Sequence, residues 1–139
     1  MERETKIIVS LRSNTNQMEN LDFAKKKLCV ILGKDARFTE CLWTEPVGIE
    51  SDRFLNCLCV AMTRHSQQQL LKAFKHLERQ CSRTRKNDKN NRITLDIDLM
   101  LYGEEKFHHA DWDREYIKKL MRGIDDGTPN YIIDPTLNK

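Results

Sequence analysis

Two aspartates, Asp96 and Asp98, stand one residue apart in the run Thr94-Leu95-Asp96-Ile97-Asp98-Leu99-Met100-Leu101-Tyr102-Gly103. The run alternates through Asp98 and then turns apolar, the pattern of a strand with a buried face. Alternation sends both carboxylates to the same side, with their backbone positions roughly 7 Å apart. Leu95, Ile97 and Leu99 hold the other face. Like charges so close repel, and folding alone has no use for them. A cation between them resolves the conflict. Hard oxygen donors suit Mg²⁺, which keeps part of its water shell and is shared with substrate phosphates. In two-metal phosphoryl transfer, carboxylates hold ions about 4 Å apart, one beside the attacking oxygen and one beside the leaving oxygen. The competing reading is an exposed face of an edge strand without chemistry.

A cationic stretch precedes the two acids. Arg79, Arg83, Arg85, Lys86, Lys89 and Arg92 fall within fourteen positions, with Asp88 the one acid among them. Arg83 and Arg85 are placed to fork onto phosphate oxygens and offset charge that builds up during transfer. Arg79, Lys86 and Lys89 read better as solvated surface. A nucleic acid would also need a basic patch. Here, however, the patch is one loop, the net charge is only +3, and no aromatics interleave with it. Nucleic acid is therefore not the expected partner. Phe54 and Asn56 alternate around Leu55 and share a face; a stacking ring and an amide suit a flat heteroaromatic ligand. The plain alternative puts Phe54 in the core and Asn56 in a turn. His108 and His109 by themselves read as a surface pair.

The elements that must position these groups follow from periodicity. The chain has 139 residues, 39% hydrophobic and 32% charged, enough for one soluble domain spanning 1–139 with a single core. No apolar run is long enough to span a bilayer. The mixed-charge start, Met1 to Lys6, leads into Ile7-Ile8-Val9 as a first strand rather than a secretory signal. A cytoplasmic monomer is expected. The five cysteines lack a CxxC pair or zinc-type spacing and read as reduced thiols. Cys57 and Cys59 alternate along an apolar strand, which puts one of them in the core.

Lys6 to Leu11 reads as a strand, and Met18 to Leu32 as an amphipathic helix stopped by Gly33. Ala36 to Thr44 reads as a second strand, with Phe38, Cys41 and Trp43 as candidates for burial. Phe54 to Met62 is a third strand. Ser66 caps a helix from Gln67 to about Gln80, with a stripe of Leu70, Leu71, Phe74 and Leu77. The strand with the two acids follows. Asp111 or Asp113 is expected to cap a last helix carrying Tyr116, Ile117, Leu120 and Met121. The tail from Asp125 to Lys139 reads as irregular, tied down by Tyr131-Ile132-Ile133. The order β-α-β-β-α-β is that of an α+β, ferredoxin-like sandwich, an antiparallel sheet with helices packed on one face.

Together these residues resemble the 6-hydroxymethyl-7,8-dihydropterin pyrophosphokinase family, from the first strand to about Leu120. The strongest part is Thr94 to Gly103, which looks like the family's R-T-L-D-L-D-I-L-L-F/Y-G signature. Thr44-Glu45-Pro46-Val47-Gly48 followed by Asp52-Arg53-Phe54-Leu55-Asn56 is similar to its pterin-binding T-x-P-x-G…[YF]-L-N segment. His108, Arg114 and Tyr116 fit an H-x5-R-x-F run. The resemblance implies an ATP- and Mg²⁺-dependent transferase of folate biosynthesis. Its ligands would be ATP as co-substrate and the pterin alcohol, with two Mg²⁺ ions on Asp96 and Asp98. Thr44, Val47 and Asn56 would contact the pterin, and Phe54 and Tyr116 would stack on its faces. Arg83, Arg85, Arg92, His108 and Arg114 would meet ATP, with Arg83 also serving catalysis beside the two aspartates. Glu78 matches an acid near the active centre.

Departures from the pattern are specific. Arg12 stands where a glycine is usual, and Ile93 where an arginine is expected three residues before the first aspartate. Arg92, one position earlier, falls on the other side of the strand. A Trp-Gly-Pro segment is replaced by Asn87-Asp88-Lys89-Asn90-Asn91, and the connection from Gly103 to His108 is short. Ile93 motivates one alternative, a catalytically impaired pterin- or nucleotide-binding relative. Another, an interaction module whose two acids are fortuitous, fits the order of elements but explains neither Asn56 nor the spacing of His108, Arg114 and Tyr116.

Overall fold

The computed structural model describes residues 3–125 and 131–132, and its sheet is organised around β1 (Thr5–Ser13). This strand is buried along most of its length, with Ile7, Val9 and Leu11 on one face and Ile8 and Ser10 on the other. Such a strand belongs in the middle of a sheet. It pairs antiparallel with β4 (Phe54–Thr63) on one side and β5 (Asp96–Tyr102) on the other. β2 (Arg37–Thr39) and β3 (Leu42–Thr44) both lie against β4. β6 (Glu105–Lys106) borders β5, and β7 (Tyr131–Ile132) borders β2. The order is β6-β5-β1-β4-β2-β7, with β3 also on β4. With α1 (Gln17–Leu32) after β1 and α2 (Gln67–Gln80) after β4, the fold is the expected ferredoxin-like α+β sandwich.

Both helices of this frame cover one face. Leu21, Ala24, Leu28 and Leu32 of α1 and Leu70, Phe74 and Leu77 of α2 pack on Ile7, Val9, Leu11, Leu95, Ile97 and Leu99. Gly33 ends α1 at φ 97°, a conformation that favours glycine, and its N–H bonds back to Cys29. Cys57 and Cys59 are both fully buried on this face. Two residues apart on a strand means the same side, so the core takes both rather than one. On the opposite face, Ile117, Leu120 and Ile124 of α4 (Glu115–Asp125) cover Ile8, Leu58, Val60 and Met100. That face turns polar toward one end of the strands, where Ser10, Arg12, Asn56, Asp96 and Asp98 replace the apolar residues.

Several local expectations change. The second strand is split, because Arg37↔Val60 and Phe38↔Cys59 give way to Leu42↔Asn56 and Thr44↔Phe54. One extra residue enters between them, so Glu40 and Cys41 together oppose Cys57, a β-bulge. Thr39 Oγ1 accepts the Leu58 N–H there, replacing a ladder bond. Trp43 is not buried; it is 45% exposed, with Arg53 stacked 4.9 Å from its ring centroid. The stretch after Arg83 contains a short helix, α3 (Arg85–Lys89), capped by Thr84 Oγ1 accepting from Asn87 N. Neither Asp111 nor Asp113 caps the last helix: both lie in a 3-10 turn, His109–Asp113, before α4 begins. Of the tail expected to be irregular from Asp125, Asp125 itself ends α4, Tyr131–Ile132 pairs with β2, and the rest lies outside the described residues. No described helix is long and apolar enough to cross a membrane.

Ser66 caps α2 as expected: its Oγ accepts from Gln69 N while Gln69 Oε1 accepts from Ser66 N. Ser66→Ala removes this capping box and should lower stability by about 1 kcal/mol. A urea midpoint unchanged from wild type would show that the cap contributes nothing.

Candidate active site

Strand register assembles the site. Arg12 of β1 lies directly opposite Asp96 on β5 and Asn56 on β4, and Ser10 lies opposite Asp98. Asp96, Arg12 and Asn56 thus form one row across three strands, on the face that α4 covers only in its apolar half. The start of β5 is held in place by Asn14. Its Oδ1 accepts from Ile93 N at 2.7 Å, and its backbone N donates to Ile93 O at 2.9 Å.

The two aspartates have different partners. Asp96 Oδ1 lies 3.4 Å from Arg83 Nη1. That same nitrogen donates to Leu95 O at 3.0 Å, while Arg83 Nε donates to Asp88 Oδ1 at 2.7 Å. Burial alone would ease loss of the Arg83 proton. The Asp88 hydrogen bond and the charges of Asp96, Asp88 and Glu78 outweigh it and raise the pKa. Glu78 reaches in from α2, accepting the Ile97 N–H at 2.8 Å and lying 3.7 Å from Arg83. Burial raises its pKa, opposed by the Ile97 hydrogen bond, and the charge of Asp96 adds to the rise.

Asp98 faces His108 and Asp111 instead. His108 adopts the left-handed conformation, φ 54° and ψ 51°, and its Nε2 lies 3.8 Å from Asp98 Oδ1. The tight turn that follows brings Asp111, three residues on, to the same side. Ligand atoms of Asp98, His108 and Asp111 lie within 4.8 Å of one another. Asp111 also sits 3.8 Å from Arg114 Nε. Burial raises the Asp98 pKa from 3.8 to about 7, helped by Asp96, Glu78 and Asp111. Side chains of Asp96 and Asp98 are 23% and 24% exposed. A pair this crowded and still open to solvent, all hard oxygen donors, fits Mg²⁺.

Beside the acids lies a cavity of about 640 Å³, lined by Arg12, Thr44, Val47, Phe54, Asp96 and Tyr116, among others. Of the sequence-derived candidates, it gathers Thr44, Val47, Phe54, Tyr116, Arg83, Arg114 and Asp96. Asn56 is fully buried behind it. Its Nδ2 donates to Leu42 O and Thr44 Oγ1, both at 2.9 Å, and its Oδ1 has no partner among the described residues. Arg85 is exposed at the start of α3, and Arg92 lines a separate groove with Asn20 and Thr94. Neither is brought to the cavity. Asp111 and Glu115 join the site unforeseen, and no local pattern in the sequence signalled either.

The raised Asp98 pKa has a consequence for stability. Between about pH 4 and pH 7 the folded protein holds a proton that the unfolded chain has released. Without divalent ions, stability should therefore fall as pH rises through that window and level off above it. Asp98→Asn should flatten the profile and gain stability at pH 8, by an amount of the order of a few kcal/mol. Urea unfolding in chelating buffer checks this, and parallel profiles for the two proteins would contradict it. Added Mg²⁺ should stabilise wild type at pH 8 but not the variant.

Compared with curated proteins, the chain has no significant match. A family model described as 7,8-dihydro-6-hydroxymethylpterin-pyrophosphokinase (HPPK) matches residues 8–126, which takes in most of β1, the cavity walls, both aspartates and all of α4. With the Asp96–Asp98 strand, the aromatic cavity and the sandwich all within that match, the chain belongs to the HPPK family.

Proposed function

We propose that this protein is an ATP-dependent pyrophosphokinase. It would transfer the β,γ-diphosphate of ATP to the primary alcohol of 6-hydroxymethyl-7,8-dihydropterin in folate biosynthesis, releasing AMP. One observation carries this reading: two aromatic walls, Phe54 and Tyr116, line the same cavity as Asp96, Arg83 and Arg114. A slot for a flat ring and a site for a polyphosphate are thereby adjacent, as in-line transfer between the two substrates requires.

Phe54 and Tyr116 would stack on the pterin, and Val47 would flank it at the mouth. The unpartnered Oδ1 of Asn56 is an acceptor for a ring N–H. Thr44, whose Oγ1 already accepts from Asn56, retains its hydroxyl proton to donate. Arg83, Arg114 and His108 would face the phosphates, and Arg85 would reach them when the segment 84–91 closes over the cavity and excludes water. Asp96 and Asp98 would hold two Mg²⁺ ions. The chemistry such ions supply is activation of the attacking alcohol and withdrawal of phosphate charge. The hydroxymethyl oxygen bonds to the β-phosphorus as the bond from that phosphorus to the α-bridging oxygen breaks, and the electron pair leaves with AMP. No covalent protein intermediate is needed, and the protein is read as a cytoplasmic monomer.

A second reading, a relative that binds pterin without catalysis, draws on Ile93 and on Arg12 lying over Phe54. Incubation with Mg²⁺, ATP and the reduced pterin alcohol separates the two. AMP and pterin diphosphate support the kinase, whereas pterin binding without AMP supports the relative. Asp98→Ala should nearly abolish turnover while leaving pterin affinity largely intact; a fully active variant would reject the metal assignment. Phe54→Ala should raise the pterin dissociation constant about tenfold by fluorescence titration, in line with loss of an aromatic stack.

A further inference from the structure

Arg12 projects into the cavity from β1. Its guanidinium carbon sits 4.1 Å from the centroid of the Phe54 ring, over the ring that a flat ligand would stack on. No carboxylate among the described residues pairs with it. Its Nε is buried and donates to nothing among the described residues. A buried N–H without an acceptor is unfavourable, and a cation–π contact offsets only part of that. The resting position is therefore weakly held. Directly across from Arg12 are Asn56 on β4 and Asp96 on β5. A side chain of this length, rooted between those strands, reaches either flank: Phe54 on the β4 side or the anionic ground beside Asp96.

We propose that Arg12 is a displaceable plug of the ring slot. It caps Phe54 while the slot is empty, and an incoming heteroaromatic ring swings its guanidinium to the Asp96 side, where it pairs with the polyphosphate of the co-substrate. This inference rests on the pyrophosphokinase reading and adds a specificity residue to it. The guanidinium opposes ring binding alone and favours it once the nucleotide is present. It also places a cation in the cavity that Ile93 lines without one.

The test is a pair of dissociation constants for 6-hydroxymethyl-7,8-dihydropterin, with and without a non-hydrolysable ATP analogue and Mg²⁺. Arg12→Ala should bind the pterin alone about two- to five-fold tighter than wild type, because the competing stack is gone. The analogue should tighten pterin binding to wild type, and that enhancement should fall by about tenfold in the variant. Arg12→Lys keeps the charge without the planar fork, so it should recover part of the enhancement; it also serves if the alanine variant fails to fold. Weaker or unchanged pterin binding by the variant, or an enhancement equal to that of wild type, overturns the plug. A wild type that turns over yet shows no dependence on Arg12 sinks this inference alone. A wild type that binds neither ligand sinks the kinase reading as well.

Discussion

Repulsion among carboxylates crowded at the start of β5 is the constraint that the surrounding structure answers. Asp96, Asp98, Glu78 and Asp111 converge from three different elements. Arg83 is the main internal answer, because its single guanidinium touches Asp96, Asp88, Glu78 and the Leu95 carbonyl. It quiets Asp96 but does not contact Asp98. The result is an uneven pair: one acid neutralised within the protein, and one left with a strong demand for an external cation or a proton.

The sheet makes room for this charge by dividing one of its faces. Over Ile8, Leu58, Val60 and Met100 that face is ordinary core, sealed by α4. A few residues further along the same strands it carries Arg12, Asn56, Asp96 and Asp98. Stability and chemistry are therefore neighbours on one surface. Helix α4 serves both, since Ile117 is buried in the core while the adjacent Tyr116 walls the cavity. The other face, under α1 and α2, is apolar through its centre, where Ile7, Val9, Leu11, Cys57, Cys59, Ile97 and Leu99 form one continuous core.

Features that depend on local period were legible in the chain. The alternation around Asp96 and Asp98, the Ser66–Gln69 cap and the stripe of Leu70, Phe74 and Leu77 stand in the structure as the spacing implied. Leu71, expected in that stripe, is instead 48% exposed because it falls on the flank of the helix. Features that depend on partners distant in sequence were not. Asp111 looked like a helix cap because caps are common for aspartate; its place beside Asp98 follows from the left-handed turn at His108, which spacing does not announce. Arg92 looked like part of the phosphate clamp by proximity in sequence, yet the strand entrance turns it toward another groove. Trp43 looked buried by hydropathy, but it stands opposite Leu55 on a short strand paired only with β4, past the edge of the helix cover, and is left 45% exposed.

The bulge at Glu40 and Cys41 has a wider meaning. Counted without the extra residue opposite Cys57, the pairing would set Cys41 against Asn56 and Trp43 against Phe54. With it, Leu42 and Thr44 stand there instead. The bulge thus acts as a frame shift in side-chain parity, handing the hydroxyl of Thr44 to the cavity side and sending a bulky indole to the rear. Length changes between Thr39 and Leu42 should accordingly survive only in steps of two, since an odd step would exchange the lining of the slot for its backing.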